Sequence, residues 1–470
     1  MSDIDVDGVP EVLIAGGQVV TMNPTRDVWR DGAVAVADDR IVAVGSSAEL
    51  QARWPQVPVH DASGCVVTPG YVNGHQHFTG DPLVRSCIPD DLKPGESIFS
   101  WSVPLHGAHT GDDDELSATL TTLESLQNGV TTTIEAGTVA HPDRVAKGIL
   151  AAGGRGAIGP WGWDVDGVPY SGTVDEIVDR QRSNLDALPS GGRVEGWVTL
   201  VGHNLASDEL LVAATELARE RGVNMTMHIS PTSSDPVAYR EAHGRAPVVH
   251  FDHLGILGSH LLLGHAVWLD DDEVEAVLAH DVAIAYCPWA YLRLGQGVCH
   301  HGRHAEISTR GGRIALGCDA TNAGDSIDIL RTAALAAGIA KDTSFDRHGT
   351  DGSWFGAHEA LEWATIGGAA AIGMADRVGS LEPGKLADVV LHDATDPRWA
   401  PGGDIALQLV WGTDGRSVRD VFVGGELVLE HGRSTVVDEA ALAADAADAS
   451  WAMLGRAGIE LPRRWPVRDA

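Results

Sequence analysis

The chain has 470 residues, 44% hydrophobic and 21% charged, which is ample material for a sizeable core in an ordinary globular protein. Its 66 acidic against 33 basic side chains leave a formal charge of −33, which argues against nucleic acid and anionic membrane as partners, because phosphate binding needs the opposite field. The five cysteines (Cys65, Cys87, Cys287, Cys299 and Cys318) form no C-x-x-C pair, the first ten residues lack an apolar signal core, and no apolar run reaches the length of a membrane span; a reduced, cytoplasmic protein is expected.

In chain order, residues 11–68 alternate in the manner of short strands, with Asp38-Asp39-Arg40 placed as a hairpin turn between two apolar runs. The stretch Pro69-Gly70-Tyr71-Val72-Asn73-Gly74-His75-Gln76-His77 then reads as a strand presenting two histidines. In a strand, residues i and i+2 share a face, so His75 and His77 can reach one ion. The pair alone is weak, since 21 histidines in the chain give about one H-x-H by chance. Helical and strand patterns alternate from there. Helices are expected over residues 114–127, 145–152, 177–188, 209–221 and 271–280, with a short one near Leu254. Strands are expected over residues 130–135, 157–160, 197–201, 223–227, 261–265, 282–286 and 313–318. Residues 387–391 and a hairpin turning at Gly424-Gly425 return to the style of the N-terminal strands, and a helix over residues 440–454 follows.

Eight short apolar runs, each followed by helical material, predict a parallel sheet closed into a (β/α)8 barrel over residues 69–382. The two β-rich flanks, residues 1–68 and 383–470, predict one small β-sandwich domain built from both termini. In such a barrel, functional residues come from the carboxyl ends of strands. Here the first strand ends in His75 and His77, the fifth in His228, the sixth in His265 and the eighth in Asp319. Each residue alone is more simply a core or capping side chain. Five of them at the ends of four strands point to a site for Zn²⁺ or another borderline divalent ion, able to make a water nucleophilic near neutral pH.

The chain resembles the amidohydrolase superfamily, in the branch of triazine hydrolases, guanine deaminase and S-adenosylhomocysteine deaminase. The resemblance spans nearly the whole chain. It is carried by residues 69–77, by 261–269, by Gly317-Cys318-Asp319, and by the return to the sheet domain through 359–373 and 379–388. It implies that His75, His77, His228 and Asp319 ligate one metal per chain, zinc first and cobalt, iron or manganese as substitutes. It further implies that His265 holds the metal-bound water or sits at the edge of the coordination shell; in the hydrolysis expected here, Asp319 would accept the proton of that water.

Two departures bear on the chemistry. Deaminases of this branch carry H-x-x-E after the fifth strand, the glutamate moving a proton to the leaving nitrogen; here the stretch is His228-Ile229-Ser230-Pro231, and proline cannot move protons. Asp235 lies nearby at a different offset. The seventh strand usually runs His-Cys-Pro-x-Ser-Asn; here it is Tyr286-Cys287-Pro288-Trp289-Ala290-Tyr291. His203, Tyr286, Trp289 and His301 are the expected substrate contacts, although packing and a solvated loop explain the last three equally well. The reading that follows is a metal-dependent hydrolase of C–N, C–S or C–halogen bonds in a small urea, carbamate or N-heterocycle. Purine, pterin or triazine deamination is the runner-up, and a catalytically silent assembly barrel the reading from another class. A homo-oligomer acting on a small molecule is expected.

Overall fold

The computed structural model describes residues 9–79, 81–320, 323–348, 355–466 and 468. Its centre is a ring of parallel strands: Tyr71–Gln76, Val130–Glu135 and Arg155–Ile158, then a fourth strand split by Trp197 into Val194–Gly196 and Val198–Gly202, then Met225–Ile229, Leu261–His265, Ala283–Tyr286 and Arg313–Leu316. Strand pairing is parallel throughout the ring. The ring closes where Gln76 bridges Asp319 and the Asp319 N–H donates to His75 O at 2.9 Å. Nearly every strand residue is buried on both faces, which is why these runs read as continuous apolar stretches rather than alternating ones.

The second unit is one continuous mixed sheet of nine strands. Val12–Val20, Val28–Ala37, Arg40–Ser46, Val59–Asp61 and Cys65–Pro69 come from the front of the chain. Val389–Asp393, Val418–Val423, Glu426–Glu430 and Arg433–Ser434 come from the back. The two ends meet where Val389–Asp393 pairs antiparallel with Cys65–Pro69. The expected small terminal domain is thus one sheet in which Val59–Asp61 pairs with Val12–Val20 off the main path, and Pro69 and Gly70 lead straight from it into the first barrel strand. Helix Glu439–Ala457 then packs back on the barrel, with Met453 and Leu454 buried against Leu83, Ile88 and Leu105.

Some elements were not anticipated. Residues 94–107 form short helical turns including a π-helical turn over Ile98–Ser102, and Ile329–His348 is a long helix. The first is short and irregular, and the buried face of the second is mostly alanine (Ala333, Ala336, Ala337 and Ala340), which makes a weak apolar stripe.

Candidate active site

The backbone at the carboxyl rim of the barrel is bent sharply. His203, Asn204, Ser230, His265, Ala266 and Asp319 all have φ between 47° and 77°, a left-handed region that costs a non-glycine residue of order 1–3 kcal/mol. The bends turn side chains from the strand ends toward the barrel axis. His75 sits between two glycines that make room for it. A Cβ at Gly264 would lie 2.7 Å from His75 Cε1, and one at Gly317 would lie 2.8 Å from His75 Cβ.

Four strand ends thereby converge. His77 Nε2 lies 3.2 Å from Asp319 Oδ1 and 3.4 Å from His228 Nε2, and His75 Nε2 lies 3.7 Å from Asp319 Oδ1. The hydrogen bonds behind these rings decide their tautomers. Thr138 Oγ1–H donates to Glu135 Oε1 at 2.8 Å, so Thr138 Oγ1 accepts from His77 Nδ1–H, also at 2.8 Å. His228 Nδ1–H donates to Val201 O at 2.8 Å. Both rings therefore turn a bare Nε2 lone pair inward, and the two lone pairs face each other and a carboxylate. That arrangement is repulsive without a cation between them. Both ring nitrogens of His75 are buried without a hydrogen-bond partner. Zinc–nitrogen bonds of about 2.05 Å put tetrahedral donors about 3.3 Å apart, close to the separations seen here. Burial also pushes the His75 and His228 imidazoles well below the usual histidine range, which keeps them neutral as ligands must be. The donor set fits a divalent ion.

His265 stands beside this group, its ring centroid 4.9 Å from that of His75 and 5.2 Å from that of His228. Burial lowers it to about 4. Glu135 is pushed up to about 7 by burial, despite accepting from Gly137 N–H, Thr138 N–H and the Thr138 hydroxyl.

A cavity of 280 Å³ opens over these residues. His77, His228, His265 and Asp319 form its floor. Trp161, Trp163, Phe99, Leu205 and Leu294 supply much of its wall, and His106, His203, Asp235 and Pro231 are the residues of chemical interest there. Asp235 Oδ2 accepts from Ser230 N–H at 2.8 Å and lies 3.3 Å from His203 Nδ1.

Of the expected substrate contacts, His203 lines this cavity and three do not. Tyr286 is buried in an aromatic cluster with Tyr291, His304 and Trp363. Trp289 lies in another groove with the Arg331 guanidinium 5.0 Å over its ring, and His301 stacks on Trp268 at 3.6 Å. For Trp289 and His301 the physical reason is helical, since Pro288–Arg293 and Val298–His301 curl in the loop after the seventh strand, while Tyr286 is packed within that strand. Conversely, Glu135, Thr138, His106, Trp161 and Cys287 were passed over. Glu135 ends a barrel strand, so the positional rule that found the histidines would have found it too. The Cys287 thiol is within reach of His75, His265 and Asp319, but burial pushes it well above the usual thiol range and so keeps it protonated.

Residues 66–428 match the amidohydrolase family, and residues 32–56 match an imidazolonepropionase-like composite domain of bacteria. The 5-methylthioadenosine/S-adenosylhomocysteine deaminase of Symbiobacterium thermophilum is 30% identical over 428 residues, covering 89% of this chain and 93% of its own. An adenosine deaminase from Xanthomonas campestris with bound zinc is similar at TM-score 0.89 and 25% identity, over 95% of this chain and 99% of that one. Atrazine chlorohydrolase from Arthrobacter aurescens, complexed with zinc, shares the fold at TM-score 0.84 and 22% identity, over 93% and 100%.

Proposed function

Because this chain belongs to the amidohydrolase family, and is thereby a hydrolase acting on carbon–nitrogen bonds other than peptide bonds, we propose that it uses a divalent ion, zinc first, to displace a substituent from an electron-poor carbon of a small, planar, nitrogen-rich substrate. His75, His77, His228 and Asp319 would hold the ion. When bound, it supplies a water of lowered pKa and polarises the electrophilic carbon.

The residues around it do the rest. Asp319 accepts the proton of the attacking water. His265, neutral and fixed at the floor, orients that water and stabilises charge as the carbon becomes tetrahedral. Trp161 and Trp163 give a flat substrate an apolar wall and keep bulk water out. A substrate held this way meets the nucleophile in a reactive geometry rather than by chance collision.

The single observation that carries the choice of leaving group is Pro231 in the cavity wall, at the position where the resemblance to deaminases implies a glutamate. Without an acid there, amine nitrogen departs poorly, and carbamate esters or halogenated rings, which release an oxygen anion or a halide, are favoured. A second reading, deamination of an adenosine-like base, is favoured by the deaminases among the similar proteins and by one local feature. Asp235 reaches the same cavity, paired with His203, and could return a proton to the leaving nitrogen.

A series of substrates differing only in leaving group separates the two. We expect log kcat/KM to rise steeply as the leaving-group pKa falls, and Asp235→Asn to change the slope little. A flat dependence that becomes steep in Asp235→Asn, with chemistry shown to limit the rate, would replace the first reading by the second. A cytoplasmic homo-oligomer completes the proposal.

A further inference from the structure

Outside the barrel, three helix ends bring a second set of metal donors together. Helix Asp208–Arg221 begins at Asp208, helix Ser234–His243 ends at His243, and helix Pro247–His253 carries His250. Gly244, at φ 67°, reverses the chain after His243 so that the third helix folds back on the second. His250 Nε2 lies 2.8 Å from Asp208 Oδ1. The His243 ring is stacked on His250 with centroids 3.9 Å apart, and one donor atom from each of the three residues lies within 4.8 Å of the others. The Tyr239 ring packs against both imidazoles.

His250 is 3% exposed and its Nδ1 has no hydrogen-bond partner. The nitrogen that His250 turns toward Asp208 is Nε2. Two imidazoles and a carboxylate are the donor chemistry of zinc and its neighbours rather than of calcium or magnesium.

We infer that Asp208, His243 and His250 form an auxiliary site for a borderline divalent cation, separate from the barrel centre. Donors about 3.3 Å apart are required for tetrahedral zinc, so the Asp208–His250 pair, now 2.8 Å apart, opens slightly while His243 turns to the same centre. Asp208, 45% exposed, and the half-buried His243 are the two free to move, while His250 is the fixed point. Water from the solvent side fills the remaining position.

The location gives the ion a consequence. The helix that ends at His243 starts with Asp235 in its first turn, about 12 Å away at 1.5 Å per residue. Asp235 holds the Ser230 N–H and pairs with His203 at the cavity wall. Asp208, in turn, follows His203 by five residues. An ion clamping Asp208 to His243 therefore fastens the outer ends of the two segments whose inner ends carry the His203–Asp235 pair.

The test is a zinc titration of the untagged, chelator-stripped full chain, read by bound equivalents and by thermal midpoint. Wild type is expected to take up two equivalents, with the second raising the midpoint. His243→Gln and Asp208→Asn, both at exposed or half-exposed positions, should bind one, keep turnover, and lose that second increment. His75→Ala should also bind one, and should keep it when combined with no change at the outer site but lose it in a His75→Ala/His243→Gln double variant. Saturation of wild type at one equivalent, or two equivalents in both His243→Gln and Asp208→Asn, would overturn the inference. Retained turnover in the outer-site variants shows that they are folded, so loss of binding there is not loss of structure.

Discussion

In the proposed metal centre, Thr138 is the residue that would make His77 usable as a ligand. Its hydroxyl passes the hydrogen bond of Glu135 on to His77 Nδ1 and so aims the Nε2 lone pair at Asp319 and His228. Thr138→Val keeps the shape and removes that link. It should weaken zinc binding at the barrel centre roughly 10–100-fold, the usual cost of losing such a partner, with Thr138→Ser close to wild type. Competition with a chromophoric chelator measures it, and an unchanged affinity in Thr138→Val would remove the tautomer argument. His75→Ala and His228→Ala are stronger lesions. Each should cost one zinc equivalent and all measurable turnover; a His75→Ala protein with normal turnover would show that the assignment of the centre is mistaken.

At the level of elements, the interest lies in how the terminal sheet grips the barrel. We propose the division of the chain at residues 69 and 383, supported by the way both ends feed one nine-stranded sheet. Arg155, at the start of the third barrel strand, donates from Nε and Nη2 to Asp388 at 3.2 and 3.1 Å, and Asp388 also accepts from Gly424 N–H at 2.8 Å. Arg155 and Asp388 are 5% and 3% exposed. Removing one partner strands a buried charge, so Asp388→Ala should cost about 3–5 kcal/mol in denaturant unfolding, while Arg155→Met/Asp388→Leu should recover more than half of that loss. Within the sheet, Asp420 accepts from His60 Nε2 at 2.8 Å, from the Arg419 guanidinium and from His431 N–H at 2.9 Å. Burial raises its carboxyl, but these donors outweigh burial and bring it down to about 2. A carboxyl depressed on folding stabilises above its unfolded value and stops doing so as pH falls through its folded one. Wild type should therefore exceed Asp420→Asn by about 2 kcal/mol at pH 6, with the gap closing between pH 4 and pH 2. A gap that persisted to pH 2 would contradict the sign.

For the whole molecule, charge is the dominant fact. At −33, the protein should show no salt-dependent retention on duplex DNA or on anionic vesicles at low ionic strength, and binding that weakens with added salt would contradict this. The same field should slow the encounter with anionic substrates and be relieved by salt. Among the described residues no helix is long and apolar enough to cross a membrane.

The sequence by itself determined the order of strands and helices, the closure into eight, and the positions at which function gathers. Those are set locally, by apolar runs of strand length and by polar residues placed immediately after them, as at His75, His228, His265 and Asp319. The reach of that rule was limited by what surrounds each residue. It found His77 but not Thr138, because a hydrogen bond across two strand ends has no spacing in the chain. It placed Trp289 and His301 at the substrate, whereas short helices turn them elsewhere. It left Asp235 at an unpromising offset from His228, whereas the turn at Ser230 and the start of the next helix bring its carboxylate beside His203. Strand position is a one-dimensional property and survives reading along the chain. Which atoms face one another across a cavity depends on backbone bends and helix starts contributed by different strands, and only the closed barrel decides it.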